Sequence, residues 1–313
     1  MPKVVINRLL ISVPTLFLVT FIDFMLSHLL PGNPALAIAG PTASPAQIAA
    51  VDAQLHLNDP LVVQYWKWLV DSIHGNFGMS FVYHESVASL ISSRYQVTLS
   101  LALYAMILTA VLGVGAGLLA AVRGGLLDNV ITAIAGFFLA VPQFFLGLLL
   151  VFFFAVKLPF FAGDGYTSLG TSFTGFLKTM TLPSLTLALT GAAVVARQFR
   201  SELVGVFQKE YIGFAEAKGL SSRIVLFRHA FRNAFGPALT LLGLQVAGIL
   251  GGAIIIEEIF NLPGLGGLMI LSLQNKDIPV LQALVLIACV IVLLANLLTD
   301  IGYARLNPRV RAK

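Results

Sequence analysis

The sequence predicts an all-α polytopic membrane protein with six transmembrane helices, and two observations carry that prediction. The first is composition. Hydrophobic residues make up 58% of the chain and charged residues only 11%, where a soluble domain carries about 25% charged residues. The second is spacing. Uncharged runs long enough to cross a bilayer recur along the chain, and a basic stretch, 197–233, lies between two of them. That stretch holds seven of the nineteen Lys and Arg residues. The net charge of +5 is therefore a topology signal rather than a nucleic-acid one, because the positives cluster where the positive-inside rule would place them. A single Cys excludes an internal disulfide framework and any Cys-rich metal site. Cys289 lies within an apolar run and reads as an inert small residue.

Taken in order, Lys3 and Arg8 precede an apolar run from Leu9 to Leu30 that is interrupted by Asp23 and His28. Ala35-Leu36-Ala37 offers a possible signal-peptide cleavage site, but the run exceeds the roughly 7–15 residues of a signal core. Residues 1–30 therefore read as an N-terminal tail and an uncleaved first span. Residues 31–94 have ordinary composition and form an extracytoplasmic segment, with short helices expected at 46–55 and 61–73. Trp66 and Trp68 read as interface anchors.

Residues 95–304 supply five further spans. The second, 95–122, carries Gly113 and Gly117 as a small-xxx-small packing face. The third, 129–156, holds Pro142-Gln143 in its middle, where proline should kink it; the kink reads as a packing accommodation or a gate element. The fourth, 179–196, has Pro183 in its expected first turn. The fifth, 234–256, contains Gly248 and Gly252 as a second small-xxx-small pair, together with Gln245, and Glu257 and Glu258 mark its outer end. The sixth runs from 278 to 299, and residues 305–313 form a tail. An even number of spans puts both termini on one side. The inner side then holds fourteen Lys and Arg residues against five outside, which predicts cytoplasmic termini.

Within the basic stretch, Leu220, Ile224, Phe227, Phe231 and Phe235 fall on one helical stripe flanked by Arg223, Arg228 and Arg232. Such a helix at the inner membrane face can rest on lipid headgroups or dock into another protein, and the pattern alone allows both. Catalytic chemistry is missing. There is no G-x-x-x-x-G-K-[ST], no H-E-x-x-H and no G-x-S-x-G. The five His residues are scattered without metal-ligand spacing. Apart from Asp23 the span interiors carry no charged residue, which argues against an autonomous ion pump.

The stretch Glu210 to Thr240 resembles the permease subunits of ABC importers, in the branch that imports dipeptides, oligopeptides, nickel or glutathione, and in particular its B-type inner-membrane permease. Tyr211, Ala215, Ala217, Lys218, Gly219, Leu220, Arg228, His229, Ala230, Arg232, Asn233, Ala234 and Pro237 stand at the family's motif positions. Pro31-Gly32-Asn33-Pro34-Ala35 and Asn76-Phe77-Gly78-Met79-Ser80 are similar to its N-terminal signatures. Gly251-Gly252, Glu257, Pro263-Gly264-Leu265-Gly266, Asp277, Pro279, Asp300, Tyr303 and Asn307-Pro308-Arg309 are similar to its closing pattern. The family usually carries Arg where Gly213 stands and often where Glu216 stands, so this chain's loop has less positive charge.

The resemblance implies the type I importer permease fold in a bacterial cytoplasmic (inner) membrane, with 95–304 as the permease core. It implies a non-catalytic subunit that moves short peptides inward by alternating access. Its partners would be a second homologous permease in a heterodimer, two cytoplasmic ABC ATPases that bind ATP and Mg, an extracytoplasmic solute-binding protein and membrane lipid; no nucleic acid and no cofactor of its own are implied. A coupling helix at 211–221 would engage the ATPase through Tyr211, Ala215, Glu216, Ala217, Lys218, Gly219, Leu220 and Ser221, with Arg228 and Arg232 beside it. Gln245, Gly248 and Gly252 are candidates to line the translocation path or to pack beside it. The segments 31–94 and 259–279 are candidates to receive the binding protein. The competing expectation is a self-contained secondary transporter or channel whose basic loop lies on anionic lipid.

Overall fold

The computed structural model describes residues 2–29, 35, 43–54 and 58–306. The motif Pro31-Gly32-Asn33-Pro34, the cleavage-site residues Leu36 and Ala37, and the closing Asn307-Pro308-Arg309 lie outside them. The described residues form α1 (Pro2–Leu29), α2 (Pro45–Gln54), α3 (Leu61–Ile73), α4 (Val87–Arg123), α5 (Gly125–Ala140) and α6 (Gln143–Val151). There follow α7 (Phe173–Phe207), α8 (Glu210–Ala217), α9 (Phe231–Ile259), α10 (Leu265–Gln274) and α11 (Ile278–Leu306). No strand occurs among the described residues; Met79 and Ser86 make one isolated bridge. Five helices are long and apolar enough to cross a membrane, and the bent pair α5–α6 brings the number to six if it is counted as one broken span rather than a re-entrant loop.

The chain divides into two compact units: Met1–Leu10 with Val97–Pro263 and Val292–Lys313, and Ile11–Gln96 with Gly264–Ile291. In the first, α7 is the central helix, and two-thirds of its apolar window is buried. One core cluster gathers Leu101, Met180, Leu187, Ile256 and Phe260 from α4, α7 and the end of α9. Helix α4 crosses α7 at close range because of its glycines. A Cβ at Gly113 would lie 2.8 Å from Val195 Cβ, and one at Gly117 would lie 2.6 Å from the Ala196 carbonyl oxygen. The small-xxx-small reading of this pair therefore matches the packing.

Within this chain the second small-xxx-small pair does not pack as one face. A Cβ at Gly252 would meet Gln143 and Leu187 at 2.8 Å, whereas Gly248 is exposed and its nearest neighbour is Gln245 on its own helix, 3.8 Å away. The close approach of α9 to α11 uses other glycines. A Cβ at Gly236 would lie 2.8 Å from the Tyr303 ring, and one at Gly243 would run into Thr299.

Two expectations about proline need correction. Pro183 is not in a first turn, because α7 begins ten residues earlier, where Ser172 caps it by accepting from Gly175 N; Pro183 lies in the helix interior. The Pro142 break is larger than a kink, since α5 and α6 meet at 105°. Proline bars the α conformation from the preceding residue, and Val141 is extended at φ −81°, ψ 127°. Side chains then fill the gap. Thr190 Oγ1 donates to the Phe138 carbonyl freed at the end of α5, and Gln143 Nε2 donates to the Leu187 carbonyl.

In the second unit, α3 packs on α1 through Tyr65, Leu69 and Phe24. Val87, Leu90, Leu268, Val280 and Leu284 build a separate cluster from the start of α4, α10 and α11.

Candidate functional site

The basic loop folds as a foot beneath the first unit. Helix α8 is fastened by Ile212 and Ala215, both buried, in a cluster with Phe199, Leu203, Val225 and Ala230. Ala215 thus anchors the helix to its own bundle. Asn233 Nδ2 donates to the Tyr211 hydroxyl at 3.2 Å and to the His229 carbonyl at 2.7 Å. It ties α8 to the helix that follows.

The end of α8 is a Schellman closure. Gly219 N donates to Glu216 O at 2.8 Å and Leu220 N to Ala215 O at 3.3 Å. Gly219 makes this possible at φ +78°, a left-handed conformation that costs other L-residues about 1–2 kcal/mol. A Cβ there would meet nothing within 4 Å. The glycine is required by the turn and not by crowding.

What α8 presents outward is Tyr211, Gly213, Phe214, Glu216, Ala217 and Lys218, continuing through Gly219, Leu220 and Ser221, all exposed. Phe214 is the most exposed large apolar side chain of this loop, at 67%. Arg228 and Arg232 are exposed beside them.

The five-residue apolar stripe predicted across this loop is split in two. Residues Val225–Ala230 form a π-turn, whose wider spacing shifts the helical phase. Phe231 and Phe235 consequently turn inward, with ring centroids 5.2 Å and 6.2 Å from Phe199. Leu220, Ile224 and Phe227 stay exposed. The result is an apolar surface of aromatic and aliphatic side chains rimmed by Lys and Arg. Above it, Arg200 Nε and Nη2 donate to the two carboxylate oxygens of Asp128 at 2.5 Å, joining α7 to the first turn of α5.

Two buried carboxylates escaped the sequence reading, which found no charged residue but Asp23 in the span interiors. Glu257 has no solvent exposure, although its position at the end of a span suggested an outer marker. Thr98 Oγ1 donates to Glu257 Oε1 at 2.5 Å. Asp277 is equally buried. It accepts from Ser80 Oγ and, at 3.1 Å, from Phe81 N, while Ser80 Oγ itself accepts from Tyr83 N at 2.9 Å. The Asn76–Ser80 signature and Asp277 are therefore one construction. The only sequence signal for this was that both lie in motif positions. Gln245 lies over Gly191, where a Cβ would sit 3.1 Å from Gln245 Oε1. It is half-buried at a helix crossing.

A helical bundle with several membrane-crossing helices, a sharply bent helix pair and an anchored amphipathic foot defines a multi-pass membrane protein. The chain belongs to the family described as binding-protein-dependent transport system inner membrane component, which it matches over residues 113–312, and it matches that family's N-terminal region over 1–102. It is thus a multi-pass inner-membrane permease subunit of an ABC importer.

Among its relatives, the glutathione transport system permease protein GsiC of Escherichia coli (strain K12) is 40% identical over 99% of both chains. The probable peptide ABC transporter permease protein y4tP of Sinorhizobium fredii is 36% identical over 98% of both. Of solved structures, the inward-facing MetNI methionine ABC transporter superposes with a TM-score of 0.56 at 15% identity, covering 70% of this chain and 96% of that one. An amino acid ABC transporter with histidines superposes at 0.51 and 18% identity, covering 69% and 94%. These likenesses show the fold. Family membership favours the importer subunit over the self-contained transporter.

Proposed function

We propose that this subunit carries short peptides, dipeptides or oligopeptides, into the cytoplasm by alternating access, and that α8 with its Gly219 turn is the lever through which ATP hydrolysis elsewhere drives it. The observation that carries the mechanism is the division of α8. Ile212 and Ala215 fasten it to the bundle, while Tyr211, Phe214, Lys218 and Leu220 face outward. A partner that grips the outer side can therefore move the spans as a body. The peptide class rests on the relatives named for peptide and glutathione transport, glutathione being itself a tripeptide.

The subunit would be non-catalytic and bind no cofactor. ATP and Mg would sit on two cytoplasmic ATPase subunits, a second homologous permease would complete a heterodimer, and an extracytoplasmic binding protein would deliver the peptide. Both termini would be cytoplasmic, as the distribution of Lys and Arg favours.

The test is uncoupling. Gly219→Trp puts a bulky L-residue at a left-handed position, at about 1–2 kcal/mol of local strain, and Lys218→Glu reverses a charge on the outer face. Each should lower uptake at least about tenfold, the equivalent of losing roughly 1.4 kcal/mol of coupling, with normal insertion and with ATP hydrolysis no longer stimulated by substrate. Full uptake in both variants at normal membrane levels would refute the lever.

A further inference from the structure

We propose that α3 is an interfacial helix whose second apolar face lies in bilayer lipid, fastening the extracytoplasmic segment to the membrane alongside the first span. The inference rests on the membrane reading of α1 and does not require the importer mechanism.

At about 100° per residue, α3 has three strips rather than two. Tyr65, Leu69 and Ser72 form a buried strip. Gln64, Lys67 and Asp71 form a polar strip, with Lys67 Nζ paired to Asp59 at 2.8 Å. Between them runs a third strip, Val62, Val63, Trp66, Val70 and Ile73, which is apolar and exposed; Ile73 is 74%, Val62 68% and Trp66 55% open. An ordinary amphipathic surface helix has only the first two.

The occupant of the third strip follows from where the helix sits. Its buried strip lies against α1: Tyr65 Oη and Thr20 Oγ1 share a hydrogen bond of 2.9 Å, and Tyr65 meets the rings of Phe21 and Phe24 edge-on at 5.3 and 5.6 Å. At the seam, Phe17 stacks on Trp66 with centroids 5.9 Å apart and planes 13° from parallel. Phe17 and Thr20 lie inside the apolar window Leu10–Ser27 of α1, only 17% of which is buried. The open strip of α3 is thus continuous, through the partly exposed Phe17, with a surface that faces lipid. It carries no charge, and the polar strip carries all the charge of the helix. An apolar strip on a membrane span, a tryptophan at the join and a segregated polar strip together fit a headgroup–acyl boundary. The two tryptophans divide the work. Trp66 faces lipid, and Trp68 is tilted against Phe24 and Tyr65 at 5.9 and 6.1 Å inside the protein.

Trp66 and Trp68 are the chain's two tryptophans, which makes the test direct. The full-length Trp68→Phe variant, reconstituted in phosphatidylcholine liposomes, should lose about half or more of its emission to lipids brominated some 5–10 Å below the headgroups. Aqueous iodide should change it little. The Trp66→Phe variant should resist both quenchers. Dominant quenching of Trp66 by iodide, or protection from both quenchers, would overturn the proposal in favour of water or a protein cover. A photo-crosslinking residue at Ile73, in otherwise wild-type protein assembled in its native membrane, gives an independent reading. Lipid adducts are expected there, and an adduct to another polypeptide would overturn the inference.

Discussion

Burying a carboxylate is unfavourable unless its oxygens are matched by donors, so Glu257 and Asp277 hold their places through specific partners. At Asp277 the donors are the Ser80 hydroxyl and the Phe81 amide. Asp277→Ala leaves a buried hydroxyl and an amide without their acceptor, a loss of about 1–3 kcal/mol. Asp277→Asn retains a carbonyl oxygen and should lose less. Thermal melts of the detergent-purified subunit should rank wild type above Asn and Asn above Ala. Equal melting of Asn and Ala would mean that the site is held by shape and not by accepting hydrogen bonds. The same ordering is expected for Glu257→Gln and Glu257→Ala, because Gln keeps an oxygen for the Thr98 hydroxyl and Ala does not.

At the scale of elements, the long helices set the architecture. Helices α4 and α7 run 37 and 35 residues, about 50–55 Å at 1.5 Å per residue, against a hydrocarbon core of about 30 Å. Each therefore continues well outside the membrane, which a hydropathy window cannot reveal; hence spans read as 95–122 and 179–196 had correct centres and short ends. Gly117 is the tightest point of their crossing. Gly117→Val would drive a side chain into the Ala196 carbonyl, which is backbone and cannot rotate away, at about 1–3 kcal/mol. Gly115→Val, two residues earlier with open space at its Cβ, should be nearly silent. Comparable loss of folded protein from both variants in a detergent melt would refute the crossing.

Periodicity located the spans, the basic loop and the α3 boundaries because local pattern decides them. It failed where one residue changed the phase. Proline at 142 forces Val141 out of the helix and turns the chain by 105° between α5 and α6. At the π-turn Val225–Ala230 the stripe changes character: Phe231 packs on Phe199, while Phe227, its ring 6.3 Å from that of Phe231, stays exposed. Contacts between residues far apart in the chain, such as Ser80 with Asp277 and Asp128 with Arg200, leave no trace in periodicity at all.

At the scale of the molecule, the subunit has features of a component rather than a complete machine. The family to which the chain belongs is the membrane component of binding-protein-dependent transport systems, and a membrane component needs a surface on which other subunits can act. The foot offers one, with Phe214, Phe227 and Ile224 exposed among Lys218, Arg228 and Arg232. If this surface is a protein contact, the chain purified gently from its native membrane should bring with it a second six-span permease and one or two P-loop ATPases, identifiable by mass spectrometry. Phe214→Glu, which places charge on an apolar contact without touching the anchors Ile212 and Ala215, should leave insertion intact and reduce ATPase recovery at least about tenfold, the equivalent of roughly 1.4 kcal/mol. If the surface instead rests on anionic lipid, the chain will be recovered alone in a detergent that preserves such complexes, and Phe214→Glu will change liposome binding without changing any protein partner. The two outcomes separate because an apolar side chain 67% open at the centre of a basic rim needs shape complementarity to bind a groove, whereas lipid attraction is carried by the Lys and Arg themselves.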